Sequence, residues 1–168
     1  MNNRNISALK YLEEAFHEAK KAKYPNVPER CLPKTKYNDK TANGLTKCII
    51  DFIELKGGQA ERISSVGNVI DTRTDVIDCI GRIKTVGTIK RVYSTSTNGT
   101  ADVSATINGK SVKIEIKIKK DTQSEVQKAY QKAIEKAGGI YVIAKDFQSF
   151  YEWFVRTFEN QKEGRENE

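Results

Sequence analysis

The chain contains few of the residues that mark disulfide-rich, zinc-binding or histidine-dependent proteins. Its 168 residues include three cysteines and one histidine. Cys31, Cys48 and Cys79 lie far apart and form no C-x-x-C pair, so neither a disulfide framework nor a zinc site is expected. His17 has no Cys or His neighbour at ligand spacing, and we expect it to be a bystander rather than a catalytic base. The cysteines should be reduced and structural.

Long apolar runs are also missing. No stretch of about 18 consecutive apolar residues could cross a bilayer, and the N-terminus lacks the apolar core of a secretory signal. We therefore expect a soluble protein without a membrane segment, located in the cytoplasm.

The residues that are present provide one hydrophobic core and an excess of positive charge. With 38% hydrophobic residues, the chain can build one domain but not two independent cores. All three prolines fall between residues 25 and 33, and they mark an irregular connector. We divide the chain into an N-terminal helix with its connector (1–41), a main domain (42–158) and a polar tail (159–168). The net charge of +7 suits a polyanionic partner, although charge alone is weak evidence.

Apolar residues at three- and four-residue steps predict four helices. The first runs from about residue 7 to 22 and is an appendage that packs on the domain or on a second subunit. The second is capped by Asn43 and ends at two glycines. The third begins with a capping box made by Ser124 and Gln127. Asp146 caps the last, which carries Phe147, Phe150, Phe154 and Phe158.

Strands are expected before and after the third helix. Short β-like stretches lie near residues 59–65 and 82–93, with a polar segment between them. Residues 101–107 and 112–118 alternate between apolar and polar, and they flank Asn108-Gly109, a strong signal for a hairpin with a type I′ turn. The apolar run 140–144 predicts a fully buried strand, parallel to a neighbour because a helical crossover precedes it.

The hairpin also predicts which side chains face each other. With Asn108-Gly109 as the two loop residues, Asp102 lies directly opposite Glu115, with Cβ atoms about 4.5 to 5.5 Å apart. Lys117 is two residues beyond Glu115 and shares its face. Opposed carboxylates destabilise a sheet unless a cation compensates, and Mg²⁺ prefers carboxylate oxygen. Solvent-facing strands often carry such charges without any function, however, and periodicity alone favours that plainer interpretation.

Several motifs follow one another in the second half of the chain: Gly99-Thr-Ala-Asp102, Asn108-Gly109, Ile114-Glu-Ile-Lys117, Gln123-Ser-x-x-Gln127, and Gly138-Gly139 leading into Ile-Tyr-Val-Ile-Ala. Their order resembles the PD-(D/E)XK nuclease superfamily, and most closely its small VRR-NUC type, Holliday-junction-resolvase-like members. The resemblance covers roughly residues 42 to 144. The ordered set is much more specific than the tripeptide E-x-K alone.

This resemblance implies a fold and an activity. The fold would be α/β and restriction-endonuclease-like, with a mixed sheet in an αβββαβ core and additional N- and C-terminal helices. The activity would be metal-dependent endonucleolytic hydrolysis of DNA phosphodiester bonds with Mg²⁺ or Mn²⁺, on branched or duplex DNA, with RNA as another conceivable substrate. By analogy the protein would be a homodimer. The alternatives are a non-catalytic nucleic-acid-binding module that retains the fold, and a structural or partner-binding protein.

The resemblance also implies roles for individual residues. Asp102 and Glu115 would be metal ligands, together with the backbone carbonyl of Ile116. Lys117 would be the catalytic lysine that orients or activates water. Gln127 would face the same cleft as a further catalytic residue, although its position in the capping box is an alternative role that can coexist with the first.

Other positions are weaker candidates or departures from the family pattern. Four basic residues are candidates for binding the nucleic-acid backbone, although each alone is more typical of a solvated surface charge: Arg62, Lys113, Lys119 and Lys120. Tyr93 and Tyr141 have the chemistry to stack on bases, but Tyr141 is expected in the core. Residues 42–47 lack the carboxylate that many members carry near the start of the preceding helix. Asp51 is expected to be solvated surface rather than its replacement, so a single metal ion is the simpler hypothesis.

Overall fold

The computed structural model describes residues 7–64, 68–92 and 97–160. The helices there are α1 (Ala8–Lys23), α2 (Ala42–Leu55), α3 (Glu125–Lys136) and α4 (Phe147–Phe154). The strands are β1 (Gln59–Arg62), β2 (Asn68–Asp71), β3 (Thr74–Ile77), β4 (Ile83–Val86), β5 (Ile89–Val92), β6 (Val103–Ile107), β7 (Lys110–Ile116) and β8 (Ile140–Ala144). A short 3₁₀ turn (Glu29–Cys31) interrupts the connector, and a π-helical turn (Val155–Glu159) follows α4. Tyr93 and residues 161–168 of the tail lie outside the described residues.

The main sheet is mixed and has the strand order β1-β6-β7-β8. Strands β1, β6 and β7 are antiparallel neighbours, whereas β8 runs parallel to β7 after the crossover through α3. The α/β class, the mixed sheet and the parallel last strand are therefore confirmed. When strands β2 to β5, which lie between β1 and β6, are set aside, the elements have the expected order of helix, three strands, helix and strand: α2, β1, β6, β7, α3 and β8.

The core lies on one face of this sheet, under α1, α2 and α4. Strands β6 and β7 turn alternate residues to that face, which are all buried: Val103, Ala105, Ile107, Val112, Ile114 and Ile116. Phe52 of α2 packs edge-on against the aromatic face of α4, formed by Phe147, Phe150 and Phe154. Leu12 of α1 is buried in the same core. The first helix therefore packs on the domain, which is one of the two alternatives predicted for it.

The β6–β7 hairpin has the predicted turn and register. Asn108 and Gly109 both have positive φ angles, 49° and 75°, as a type I′ turn requires. Thr106 pairs with Ser111 and Val103 with Ile114. The same register, extended by one residue, places Asp102 opposite Glu115.

Two local predictions are wrong. Helix α2 is capped by Thr41, whose hydroxyl accepts a hydrogen bond from the Gly44 N–H at 3.1 Å, so Asn43 lies inside the helix. Strand β8 is not fully buried, because it is an edge strand of the main sheet and α3 covers it incompletely. The side chain of Ile143 is consequently 38% exposed.

Residues 68–92 form a two-stranded ribbon where the sequence indicated only a polar segment and one strand. Strand β2 pairs with β5 and β3 with β4, both antiparallel. At the junction, Gly87 has a φ of +111°, and a Cβ there would lie 2.2 Å from the Thr72 carbonyl oxygen, so only glycine fits. The ribbon is an insertion between β1 and β6, which are themselves paired.

Aliphatic side chains are exposed along the whole ribbon. Ile77 and Ile83 face each other near its tip, and each is 74% exposed. The other exposed aliphatic residues of the ribbon are Val69, Ile70, Val76, Ile80, Val86, Ile89 and Val92. No helix within the described ranges is long and apolar enough to cross a membrane.

Candidate active site

The face of the main sheet opposite the core, here called the site face, carries the polar residues predicted from the hairpin. Lys113 and Glu115 alternate with the core residues of β7, and Lys117 follows directly after the strand. Tyr141 of β8 is the register partner of Lys113 and joins this face from the edge. The first turn of α3 lies beside the same face and contributes Gln127.

Glu115 is at the centre of this face and is 1% exposed. Its Oε1 lies 2.5 Å from the Gln127 side-chain nitrogen and 3.1 Å from Lys117 Nζ, and its Oε2 accepts from the Tyr141 hydroxyl at 3.3 Å. Burial raises the pKa of Glu115, Lys117 opposes that rise, and the negative charge of Asp102 adds to it. The net pKa lies above that of an ordinary glutamate, so the ionised form depends on its donors.

Asp102 is half-buried and is tied to the backbone of β7. Its Oδ2 accepts a hydrogen bond from the Ile116 N–H at 2.9 Å, and its own carbonyl accepts from the Ile63 N–H at 2.8 Å. The N–H of Ile116 therefore donates a hydrogen bond to Asp102. The role predicted for Ile116 was a different one, in which its backbone carbonyl binds the metal ion beside that carboxylate. Among the described residues, Ile116 is the donor found for this carboxylate.

Lys117 shares its ammonium group between two carboxylates. It lies 3.1 Å from Glu115 and 3.4 Å from Asp121, and the residue is 8% exposed. Burial lowers the pKa of Lys117, but the hydrogen bonds and charges of the two carboxylates outweigh burial and raise it above the ordinary value. Lys117 is therefore a cation, and it compensates the negative charges of Glu115 and Asp121.

Gln127 completes the capping box of α3 and also contacts the carboxylate of Glu115. Its Oε1 accepts from the Ser124 N–H at 3.0 Å, and its own N–H donates to the Ser124 hydroxyl at 3.3 Å, which completes the capping box. Its side-chain nitrogen donates to Glu115 at the same time. The start of α3 is thereby fixed to the buried carboxylate.

Tyr141 is a site residue that sequence reasoning assigned to the core. The residue is half-buried, contacts the ring of Tyr130 and donates to Glu115. Burial first, and the charge of Glu115 next, raise the pKa of Tyr141 to about 12, so its hydroxyl stays protonated. The one signal in the sequence was a tyrosine in an otherwise aliphatic strand.

The basic candidates are distributed over both faces. Lys113 lies on the site face and donates to the Ser104 hydroxyl at 2.6 Å. Lys119 and Lys120 are exposed in the turn after Lys117. Arg62 is exposed and is the register partner of Val103, which places it on the face opposite to Asp102.

Helix α2 brings no carboxylate to the site face. Asp51 was expected to be solvated surface, but its side chain is only 14% exposed. Its Oδ2 accepts from the Tyr37 hydroxyl at 2.6 Å and from Lys47 at 2.6 Å. Asp51 therefore stabilises the contact between the connector and α2 on the core side of the sheet.

The donors on the site face limit what kind of metal site is conceivable. Within the described ranges, no group of three or more His, Cys, Asp or Glu side chains is placed to hold a metal ion. Asp102 and Glu115 are two carboxylates on one face, which suits a hard ion that takes its remaining ligands from water, a backbone carbonyl or a substrate phosphate. A soft or tightly caged metal does not fit this donor set.

Two of the clefts formed by described residues are similar in size. One, of about 290 Å³, adjoins Lys117 and is formed by the turn after β7, the start of α3 and the end of β8. The other, of about 300 Å³, lies between α1 and the connector and includes His17 and Glu29. His17 lies 3.3 Å from Glu29 in this second cleft. The cleft at Lys117 is the one that adjoins the buried carboxylate.

A comparison with models of known protein families gives no match, and a comparison with curated protein sequences gives none either.

Proposed function

We propose that this protein is a metal-dependent nuclease that hydrolyses DNA phosphodiester bonds, on a restriction-endonuclease-like fold of the PD-(D/E)XK, VRR-NUC type. The observation that carries the proposal is the buried cluster in which Lys117 lies 3.1 Å from Glu115, beside Asp102. Carboxylates and a lysine on one face are side chains that such hydrolysis uses. A cytoplasmic location belongs to the proposal, because Cys31 and Cys79 are exposed free thiols, as is usual in a reducing compartment.

The carboxylate pair can hold a hard divalent ion. Bound Mg²⁺ or Mn²⁺ would supply positive charge to the attacked phosphate and lower the pKa of a water molecule. Asp102 and Glu115 are the proposed side-chain ligands, with the backbone carbonyl of Ile116 as a third. Glu115 accepts from three protein donors, and because a carboxylate offers about four lone-pair sites, one site remains for a further ligand.

The side chains around Glu115 have distinct tasks in this proposal. Gln127 and Tyr141 hold the carboxylate in one orientation, in which its remaining lone pair would bind the metal ion. The Lys117 ammonium is placed to bind a phosphate oxygen and to stabilise the charge that develops there.

Cleavage of labelled duplex, single-stranded, forked and four-way-junction DNA tests this proposal. In Mg²⁺ or Mn²⁺, we expect Asp102→Asn and Lys117→Met each to lower the cleavage rate at least about a hundredfold. Addition of EDTA should abolish cleavage. The matched controls are Glu54→Gln and Lys132→Met, which change exposed residues of α2 and α3. Metal-dependent cutting that persists in both site variants would contradict the proposed site.

A second candidate is a non-catalytic nucleic-acid-binding module that retains the fold. It is favoured by the absence of a carboxylate in residues 42–47 and by the engagement of Glu115 with protein donors. It predicts salt-dependent DNA binding with no cleavage under either metal. Calorimetric titration with Mn²⁺ separates the two candidates further. The nuclease should release or absorb heat as it binds Mn²⁺, and Asp102→Asn should not. The binding module requires no such metal binding.

We also propose that the working form is a homodimer in which the ribbons of two copies pack together. A patch of exposed aliphatic side chains marks an interaction surface, and Ile77 and Ile83 are each 74% exposed. Association through a two-fold axis is the commonest arrangement of identical chains. Light scattering should give a dimer for the wild type and a monomer for Ile77→Lys/Ile83→Lys. Val27→Lys, at an exposed aliphatic residue of the connector, is the control, and a monomeric wild type would refute the proposal.

A further inference from the structure

The cleft beside Lys117 has the size and lining of a small-ligand site. Its volume of about 290 Å³ is near the lower limit for pockets that bind small molecules, so it can hold about one nucleotide. Its lining combines three lysines, Lys117, Lys128 and Lys145, with one carboxylate, Asp121, and one apolar side chain, Ile143. Such a lining favours an anion that also has an apolar part.

The three lysines differ in how far they are already neutralised. Lys117 is held by two carboxylates, and Lys128 is paired with Glu125 at 2.8 Å. By contrast, the ammonium group of Lys145 makes no hydrogen bond or ion pair with another residue of the described ranges. Of the three lysines, Lys145 is therefore the one whose positive charge is most available to an anionic ligand in the cleft.

The position of the cleft defines the part of the substrate that could enter it. Lys117 belongs both to the lining of the cleft and to the cluster around Glu115. An anion in the cleft would therefore lie beside the carboxylate cluster at which we propose that water attacks the phosphodiester. Ile143, exposed at the edge of β8, offers a surface for the apolar side of a sugar.

We propose that this cleft binds the phosphate of the nucleotide next to the scissile phosphodiester, with Lys145 as its principal cation. The inference rests on the proposed nuclease function and adds to it a residue that selects and positions the strand. The shared ligand chemistry is a nucleotide phosphate, either an internal diester or the terminal monoester of a strand. In both cases Lys145 contributes to binding rather than to the bond-breaking step.

The salt dependence of DNA binding tests the cleft without requiring catalysis. A short labelled single-stranded oligonucleotide would be titrated in EDTA at several salt concentrations, against the wild type, Lys145→Ala, Lys145→Arg and Lys132→Ala. Loss of one phosphate contact should lower the slope of log K against log salt by about 0.7 for a single strand. We expect that decrease in Lys145→Ala alone. Circular dichroism confirms that each variant is folded.

Three further oligonucleotides identify the source of the phosphate. They carry a 5′-phosphate, a 3′-phosphate or no terminal phosphate. If the cleft binds a terminal monoester, Lys145→Ala removes the extra affinity of one phosphorylated strand only. If it binds an internal diester, Lys145→Ala weakens all three strands equally. Equal slopes and affinities for Lys145→Ala, Lys132→Ala and the wild type would overturn the inference.

The failure of this inference is distinguishable from failure of the proposed function. If the wild type cuts no DNA but its DNA binding shows the Lys145-dependent salt slope, the nuclease proposal fails and the phosphate-site proposal stands. If the wild type cuts DNA but Lys145→Ala has the KM and salt slope of the wild type, only the phosphate-site proposal fails. If both proposals hold, Lys145→Ala raises KM and leaves kcat close to that of the wild type.

Discussion

Glu115 is the residue whose ionisation reports most directly on the opposed carboxylates. Its pKa is raised by burial, opposed by Lys117 and raised further by Asp102. We expect Asp102→Asn to lower the pKa of Glu115, because a negative neighbour is lost, and Lys117→Met to raise it, because the cation is lost. Carbon-13 NMR titration of the Glu115 carboxyl in metal-free protein measures both changes. An unchanged pKa in Asp102→Asn would show that the two carboxylates do not interact.

The same shift has a defined consequence for stability. The folded pKa of Glu115 lies above its unfolded value, so its contribution to the free energy of unfolding is full below the unfolded pKa and is lost as the pH rises through the folded pKa. Relative to Glu115→Gln, the wild type should therefore lose stability over that interval. Urea unfolding of both proteins at several pH values provides the measurement. A difference that stays constant across the interval would contradict the raised pKa.

At the residue scale, the sequence predicted contacts that depend on one hairpin. Asp102, Glu115 and Lys117 could be placed on one face because Asn108-Gly109 fixes the turn, and the turn fixes the register. Tyr141 could not be placed in the same way. Its contact with Glu115 depends on the register of a parallel strand that arrives after a helix, and no local signal fixes that register.

At the element scale, Gln127 connects the start of α3 to Glu115 of strand β7. Gln127→Glu keeps an N3 residue that can complete the capping box, but it places a second carboxylate against Glu115. We expect this variant to retain its helix stability and to lose cleavage activity by more than about tenfold. Ser124→Ala should do the opposite, because it removes the cap, at about 1 kcal/mol, and leaves the Gln127–Glu115 contact. Chemical unfolding and cleavage rates of both variants distinguish the two tasks.

The ribbon shows why some elements could not be predicted. Its aliphatic residues include adjacent pairs, such as Val69-Ile70 and Val76-Ile77, so neither face alternates cleanly between apolar and polar. Alternation is the pattern that identifies a half-buried strand, and strands exposed on both faces have no reason to show it. The edge position of β8 was missed for a related reason, because an apolar run does not reveal how much of it other elements cover.

At the scale of the whole molecule, the ribbon is separable from the body. It contributes no residue to the core, and β1 and β6, between which it is inserted, pair with each other directly. Replacing residues 65–96 with a short Gly/Ser linker should change the free energy of unfolding of the body by less than about 1 kcal/mol. Thermal unfolding and light scattering of the shortened chain check this, with a folded monomer expected. A chain that cannot fold would show that the ribbon is part of the structural unit.

The insertion also has a consequence for the order in which the protein folds. Strands β1 and β6 pair across roughly 40 positions of the chain, and closing a loop of that length carries an entropic cost that rises with its logarithm. The ribbon closes on itself through the short turn between Ile77 and Ile83, and once formed it brings the two ends of the insertion together. A preformed ribbon thus shortens the effective loop for β1 and β6. Gly87→Val, which disrupts the ribbon junction, should therefore slow refolding while the unfolding rate of the body stays unchanged.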